Sequence, residues 1–153
     1  MVQASDPAGN IRQVSLPLWS GTTIILTIGS LIYRVNQYQK HNDIEALIIN
    51  GRTMVPIRLL ANELNAEIQV EYEQKSKKVA KVIYNLDQIV IELFIYQTYA
   101  LVNHQKVSLD VAPTIIRQRT MVPLRFVAEN LKAQVIWDAK TQEINIKYWK
   151  PEA

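Results

Sequence analysis

The sequence RTMVPIRLLANELNAEI at residues 52–68 returns as RTMVPLRFVAENLKAQV at residues 119–135. The two stretches lie 67 positions apart, and nine of their seventeen residue pairs are identical. The same offset extends to both sides without a gap and relates, for example, Ile24 to Ile91. A repeat this close indicates one structural unit that is built twice. The question about function is therefore what a duplicated module does.

The repeat divides the chain of 153 residues into an N-terminal arm (residues 1–17), a first unit (residues 18–84) and a second unit (residues 85–151). A unit of about 67 residues is close to the lower limit for a hydrophobic core of its own. We therefore expect the two units to form one compact domain with a shared core. The composition, 48% hydrophobic and 20% charged, is typical of a globular protein.

Composition also narrows the class of function. The net charge of +3 is mild and gives no strong electrostatic reason to expect nucleic acid or a membrane surface as the partner. The absence of cysteine excludes disulfides and thiolate chemistry. No apolar run reaches the length of about 18 residues that a membrane span needs, so we expect no membrane insertion. The N-terminus lacks the basic-then-apolar order of a signal peptide, so we expect an exported form to have lost its signal already.

The repeated stretch predicts a tight turn followed by a short helix. Asn50-Gly51 is a strong hairpin signal, because both residues tolerate a positive φ. Pro56 suits the first position of a helix, where its missing N–H leaves no hydrogen bond unmade, and Asn65 suits the left-handed residue that ends one. The apolar residues between them share one helical face: Ile57, Leu60, Ala61 and Leu64. Alternating apolar residues elsewhere predict antiparallel hairpins in both units.

The predicted fold class is α+β and is dominated by antiparallel sheet. It consists of two tandem units of strands that each pack one short helix, arranged either about a pseudo-twofold axis or as a stacked repeat. Each helix is too short to be stable alone and must be held by packing on the strands. The residues expected to form the repeated core are Met54, Pro56, Leu60, Leu64, Met121, Pro123, Val127, Leu131 and Trp137.

Two longer segments resemble a known family. INGRTMVPIRLLANELNA at residues 49–66 and LDVAPTIIRQRTMVPLRFVAENLKAQVIWD at residues 109–138 are similar to the copper amine oxidase N-terminal domain, also called the stalk domain. The resemblance covers about residues 22–149. The first unit keeps the family's TIGS at residues 27–30, and the second keeps its LDVAP at residues 109–113. The order of these motifs is the same as in the family.

The chain departs from the family pattern at two turns. Arg117-Gln118 stands where the pattern has Asn-Gly, so we expect this hairpin to be longer or differently shaped. Asn65 and Lys132 stand where the family usually has glycine after the helix. If that position is left-handed, the Cβ of Lys132 costs about 1 kcal/mol.

The resemblance implies a non-catalytic module of secreted and cell-surface bacterial proteins, and an extracellular or cell-surface location, for instance in Gram-positive bacteria. It is a resemblance to the stalk and not to the catalytic domain, where copper ligation needs three imidazoles and a modified tyrosine. The two histidines, His41 and His104, are not repeat-equivalent. His41 lies beside Asp43 and Glu45 in a predicted polar loop, which is a weak metal signature. We expect no metal, no cofactor and no enzymatic activity, because no catalytic motif or spaced acid–base pair is present.

Clusters of basic residues allow two interpretations. Four arginines surround the predicted helix starts: Arg52, Arg58, Arg119 and Arg125. They could form anion sites at the positive helix N-termini, or their stems could pack on the sheet while their head groups pair with carboxylates. We favour the second, since an architectural feature would occur twice and a catalytic site need not. The lysines of one predicted hairpin could contact an anionic wall polymer or form a solvated, charged edge: Lys75, Lys77, Lys78 and Lys81.

The arm, which is not repeated, is the candidate for self-association. The residues expected to mediate it are Val14, Leu16, Leu18 and Trp19. The alternation from Gln13 to Leu18 predicts a short strand that Pro17 places at a sheet edge or bulge. This strand either folds back on its own sheet or adds to an open edge of a neighbouring copy, and head-to-tail donation of this kind produces a filament. Trp19 and Trp149 are each either a cap on the core or an exposed anchor for a partner or glycan.

Two hypotheses of function follow. The first is an extracellular structural protein of stalk type that self-associates through its sheet edges and its arm, as a homo-oligomer or as the subunit of a filament. The second is an attachment module that binds cell-wall polysaccharide or another glycan.

Overall fold

The computed structural model describes the backbone of residues 3–5 and 11–13 and the backbone and side chains of residues 21–149. Within the arm, strand β1 (Gln3–Ser5) pairs antiparallel with strand β2 (Ile11–Gln13). The residues expected to mediate self-association lie outside the described residues: Val14, Leu16, Leu18 and Trp19.

The elements of residues 21–149 follow the repeat in order. Those that begin in the first unit are β3 (Thr22–Thr27), β4 (Ile32–Val35), β5 (Tyr38–His41), β6 (Leu47–Ile49), β7 (Arg52–Pro56), α1 (Ile57–Leu64), β8 (Glu67–Tyr72) and β9 (Val79–Leu86). Those of the second unit are β10 (Ile89–Phe94), β11 (Tyr99–Val102), β12 (Gln105–Ser108), β13 (Thr114–Ile116), β14 (Arg119–Pro123), α2 (Leu124–Asn130), β15 (Gln134–Asp138) and β16 (Glu143–Tyr148). Antiparallel strands with two short helices make the fold α+β.

Two five-stranded sheets contain most of these strands. One has the order β8-β9-β10-β11-β12, and the other has the order β15-β16-β3-β4-β5. The two orders are the same under the repeat offset, because β8 and β9 correspond to β15 and β16 and β10 to β12 correspond to β3 to β5. The last hairpin of the second unit therefore completes a sheet that begins in the first unit. Strand β9 crosses the boundary between residues 84 and 85.

A four-stranded sheet of order β13-β14-β7-β6 joins the two units at their most similar residues. At its centre Val55 pairs with its own counterpart, Val122. Met54 pairs with Pro123 on one side of this pair, and the counterparts of these two residues pair on the other side. Exchange of the two units therefore leaves the register unchanged. We call the β7–β14 pairing the seam.

Each helix starts directly after the seam. Pro56 is extended and ends β7, because it pairs with Met121 in the seam. Helix α1 begins one residue later, at Ile57, so the expected position of Pro56 as the first helical residue was wrong. Asn65 ends α1 in the left-handed conformation with φ 58°, and its N–H donates to the carbonyl oxygen of Ala61. After α2, Lys132 has φ 72°, so a residue with a Cβ occupies the left-handed region there. Each helix contacts the seam strand of the other unit, α1 contacting β14 and α2 contacting β7.

The Arg117-Gln118 hairpin has the same length as the Asn50-Gly51 hairpin. Both residues of each turn have positive φ, 47° and 66° for the first pair and 49° and 78° for the second. The expectation of a longer or differently shaped hairpin was wrong. A hydrogen bond between the two units anchors the Arg117-Gln118 turn: Arg117 Nη2 donates to Glu45 Oε1 at 2.5 Å.

One large core cluster combines buried residues of both units, including Leu64 of α1 and its counterpart Leu131. A smaller cluster contains Met54 and Met121. Of the residues expected in the core, those that are buried are Met54, Pro56, Leu60, Leu64, Met121, Pro123, Val127 and Leu131.

Trp137 does not lie in the core. Its side chain is 40% exposed, so the expectation that it would be buried was wrong. Val135, two residues earlier on the same face of the strand, is buried. Strand β15 is an edge strand that pairs with β16 alone, so Trp137 has neighbours on one side only. Its ring lines a surface groove instead.

Candidate binding grooves

Residues 21–149 contain no group of three or more His, Asp or Glu side chains that could hold a metal ion. His41 lies on the exposed strand β5, so its expected position in a polar loop was wrong. His104 Nδ1 is 3.8 Å from a carboxylate oxygen of Glu92. In the same part of the chain, neither helix has the length and apolar character that a membrane crossing requires.

A buried carboxylate links α1 to the sheet beneath it. The side chain of Glu63 is 6% exposed and accepts hydrogen bonds from the Tyr33 hydroxyl at 3.0 Å and from Lys40 Nζ at 2.9 and 3.0 Å. Burial, together with the hydrogen bond to Glu63 and its negative charge, raises the pKa of Tyr33 to about 12. Because both carboxylate oxygens are bound by protein donors, this cluster holds the helix on β4 and β5.

This cluster predicts a loss of stability at alkaline pH. The pKa of Tyr33 is raised from 10.0 to about 12 in the folded state. The protonated Tyr33 hydroxyl therefore contributes fully to the free energy of unfolding below pH 10, and this contribution declines as the pH rises toward 12. Because solvent near the hydroxyl screens part of this interaction, we expect the free energy of unfolding to fall by less than about 1 kcal/mol between pH 9 and pH 11 through Tyr33. Urea titrations of the wild type and of Tyr33→Phe measure it. An equal decline in both proteins would contradict the assignment.

The predicted lysine cluster is not one patch. Lys81 Nζ lies 2.6 Å from Glu92 Oε1, and this hydrogen bond raises the pKa of Lys81. The same Nζ lies 5.3 Å from the ring centre of Phe94. Lys75, Lys77 and Lys78 are exposed around the β8–β9 turn. Lys81 therefore belongs to the face of the sheet and not to the hairpin tip.

A groove of about 630 Å³ opens where the two units meet. We call it groove 1. One wall is the start of α2 and the edge strand β15, with the exposed indole of Trp137; the other is the β6–β7 hairpin of the first unit. The charged residues of its lining are Arg52, Asp110, Arg125 and Glu129. The remaining residues that line it are Ile48, Gly51, Thr53, Ser108, Leu109, Val111, Pro123, Leu124, Phe126, Val135, Trp137 and Ile144.

A second groove of about 460 Å³, groove 2, lies at the opposite junction. Its lining residues are Asp43, Pro56, Ile57, Arg58, Val70, Tyr72, Val79, Gln118, Arg119 and Thr120. Under the offset of 67, all of these except Tyr72 and Val79 have a counterpart in the lining of groove 1. The two grooves are thus repeat-equivalent, and each lies between the helix of one unit and a hairpin of the other.

Reciprocal ion pairs cross the junction beside the grooves. Arg52 of the first unit donates from Nε to Asp110 of the second at 2.9 Å. The counterpart pair runs the opposite way, from Arg119 Nε to Asp43 at 2.6 Å. All four side chains are well exposed, so each pair adds little stability, about 0–1 kcal/mol. Each pair links the hairpin that forms a groove wall to a segment of the other unit.

The model of the copper amine oxidase N-terminal domain family matches the chain twice, over residues 9–81 and residues 69–146. The chain belongs to this family. The two stalk-domain matches overlap over residues 69–81, which include parts of β8 and β9. The N-terminal domain of copper amine oxidases is a non-catalytic domain. No curated protein and no solved structure matches the chain.

Within this stalk-domain chain, three of the four repeated arginines pair with a carboxylate. Arg52 and Arg119 pair across the junction, and Arg125 Nη1 donates to Glu129 at 3.2 Å and to the carbonyl oxygen of Val135 at 3.3 Å. Arg58 makes no ion pair or hydrogen bond with the part of the chain that the structure describes.

The sequence did not indicate the grooves of the stalk-domain repeat. Trp149 is 49% exposed, but it lines neither groove. Trp137, which was expected in the core, is the aromatic residue of groove 1. The sequence contained one signal for Trp137 as a groove residue: its repeat counterpart, Val70, is small and aliphatic. A large aromatic residue on one copy only is typical of a feature that the shared fold does not require.

Proposed function

We propose that this stalk-domain chain is a non-catalytic attachment module at the cell surface that holds a carbohydrate polymer in groove 1. The observation that carries the proposal is the half-exposed indole of Trp137 in a groove lined by paired charges. The extracellular setting is supported by the family of the chain.

The chemistry of groove 1 suits a sugar ring. The apolar face of an indole offers a rigid contact surface at low cost in conformational entropy, and Phe126 extends the apolar wall. The Arg52–Asp110 and Arg125–Glu129 pairs place donors and acceptors side by side around it. Such a combination, an aromatic surface with a few oriented polar groups, is typical of ligand sites that recognise hydroxyl-rich molecules.

Substitution of Trp137 tests the proposal. Because truncation of a central aromatic contact commonly costs about 2 kcal/mol, we expect Trp137→Ala to weaken binding of an N-acetylglucosamine oligomer roughly 30-fold. Trp149→Ala is the matched control, since Trp149 is 49% exposed against 40% for Trp137 and lies outside the groove. The measurement is an NMR titration of indole and amide signals, with a sedimentation assay on insoluble wall polysaccharide.

The titration has two informative outcomes. Shifts of the Trp137 indole that saturate, together with unchanged affinity of Trp149→Ala, support the site. Absence of any shift at Trp137 across neutral and acidic wall oligosaccharides would remove the proposed function.

Self-association remains the second candidate. Each five-stranded sheet ends in strands that pair on one side only, β8 and β12 in one sheet and β15 and β5 in the other. These open edges could accept a strand from the arm of another copy. We also infer that a pseudo-twofold axis passes through the Val55–Val122 pair, because the register of the seam and the reciprocal ion pairs repeat on either side of it.

Deletion of the arm tests strand donation. We expect the full chain to form oligomers or filaments and a chain without residues 1–20 to remain a folded monomer, because the donated strand is then absent. Light scattering after size exclusion and negative-stain microscopy measure the assembly state, and circular dichroism checks the fold. Equal assembly of the truncated and full chains would eliminate donation by the arm.

A further inference from the structure

The two grooves share their framework but not their charge. In groove 1 both arginines are paired, Arg52 with Asp110 and Arg125 with Glu129. Two positive and two negative side chains therefore balance each other in its lining.

Groove 2 has one positive charge in excess. Arg119 is paired with Asp43, whereas Arg58 has no carboxylate partner among residues 21–149. The reason can be seen in the sequence. Glu129 follows Arg125 by one helical turn, but the residue at the same position after Arg58 is Asn62. Groove 2 therefore presents an unpaired guanidinium at its helix start.

Groove 2 also has an aromatic residue of its own. Tyr72, at the end of edge strand β8, is exposed and lines the groove together with Arg58. Its counterpart in the second unit is Ala139, so this aromatic is not inherited from the repeat. A planar guanidinium binds carboxylate and phosphate groups through two parallel hydrogen bonds. An aromatic ring in the same groove offers a contact surface for the rest of a sugar residue.

We propose that groove 2 is a second polymer site, which binds an acidic sugar residue through Arg58 and Tyr72. The inference rests on the proposed function and adds a second binding site to the one in groove 1. The chain then holds an anionic carbohydrate polymer at two repeat-equivalent positions, a charge-balanced one at Trp137 and a cationic one at Arg58. Two sites on one chain raise the avidity for a polymer above the affinity of either site.

Two variants of the full chain test the site, one by removing the positive charge and one by pairing it. Arg58→Gln removes the cation, and Asn62→Glu adds the carboxylate that pairs with the equivalent arginine in groove 1. Because a charge-assisted hydrogen bond is lost in each, we expect both to weaken binding of a galacturonic acid oligomer at groove 2 roughly tenfold. Arg34→Gln is the control, since Arg34 is an exposed arginine outside both grooves.

The readout is an NMR titration that follows the amides of residues 58, 72 and 119 separately from the Trp137 indole. We expect the acidic oligomer to shift both sets and the neutral N-acetylglucosamine oligomer to shift the Trp137 set alone. Shifts at Trp137 with none in groove 2, or unchanged groove 2 affinity in Arg58→Gln, would overturn the second site and leave the proposed function standing. Equal binding of monomeric galacturonate would overturn the polymer assignment of groove 2. No shift at Trp137 with either oligomer would remove the proposed function itself.

Discussion

Leu64→Ala and Leu131→Ala are each expected to lower the free energy of unfolding by about 2–5 kcal/mol, because both remove a fully buried side chain from a packed core. The two leucines are repeat-equivalent and belong to the same core cluster. We therefore expect either substitution to destabilise the whole of residues 21–149 in one cooperative transition.

An exposed leucine of the same chain serves as the control for these two substitutions. Leu31 is 46% exposed, so Leu31→Ala should change the free energy of unfolding by no more than about 0.5 kcal/mol. Urea unfolding followed by far-ultraviolet circular dichroism and by tryptophan fluorescence gives the transitions. Two separated transitions, with each leucine variant shifting only one of them, would show that the units have independent cores.

Lys40→Met is expected to lower the free energy of unfolding by about 2–3 kcal/mol, because it leaves the carboxylate of Glu63 nearly buried without its cation. Lys40 itself is 45% exposed at its side chain, and this exposure keeps the expected loss below that of a fully buried pair. Tyr33 continues to donate to Glu63, but a neutral hydroxyl stabilises a buried charge less than an ammonium group does.

A second substitution identifies the cause. If the unpaired charge is responsible, adding Glu63→Gln to Lys40→Met should restore most of the loss, since the neutral amide needs no cation. Lys147→Met, on the exposed face of β16, is the control for removal of a strand lysine. A double variant that is as unstable as Lys40→Met would mean that packing of the lysine stem, and not charge, causes the effect.

The sequence was a good guide wherever the chemistry is local. The hairpin at Asn50-Gly51 and the left-handed end of α1 at Asn65 depend on residues that are neighbours in the chain. Strand β5 was missed because its four residues, Tyr38 to His41, are all exposed and so carry no alternating apolar pattern. Pairing with β4, and not burial, makes it a strand.

The candidate site could not be predicted because it is built from residues that are distant in the chain. Groove 1 joins Arg52 to Asp110, and groove 2 joins Arg119 to Asp43. Spacing in the sequence contains no signal for such contacts. Whether Trp137 is buried depends on where the edge of the sheet falls, and this is set by strand pairing across the units.

What the sequence alone determined is the duplication, the α+β fold class and the family, because hydrophobic period, turn residues and motif order are local properties that repeat every 67 residues. Only the tertiary structure decided that the second unit completes a sheet of the first, that Val55 meets Val122, and that Trp137 and Arg58 lie in equivalent grooves. The physical reason is that these features arise when two copies of one surface pack against each other. That packing places residues together by their position relative to the seam and not by their distance along the chain.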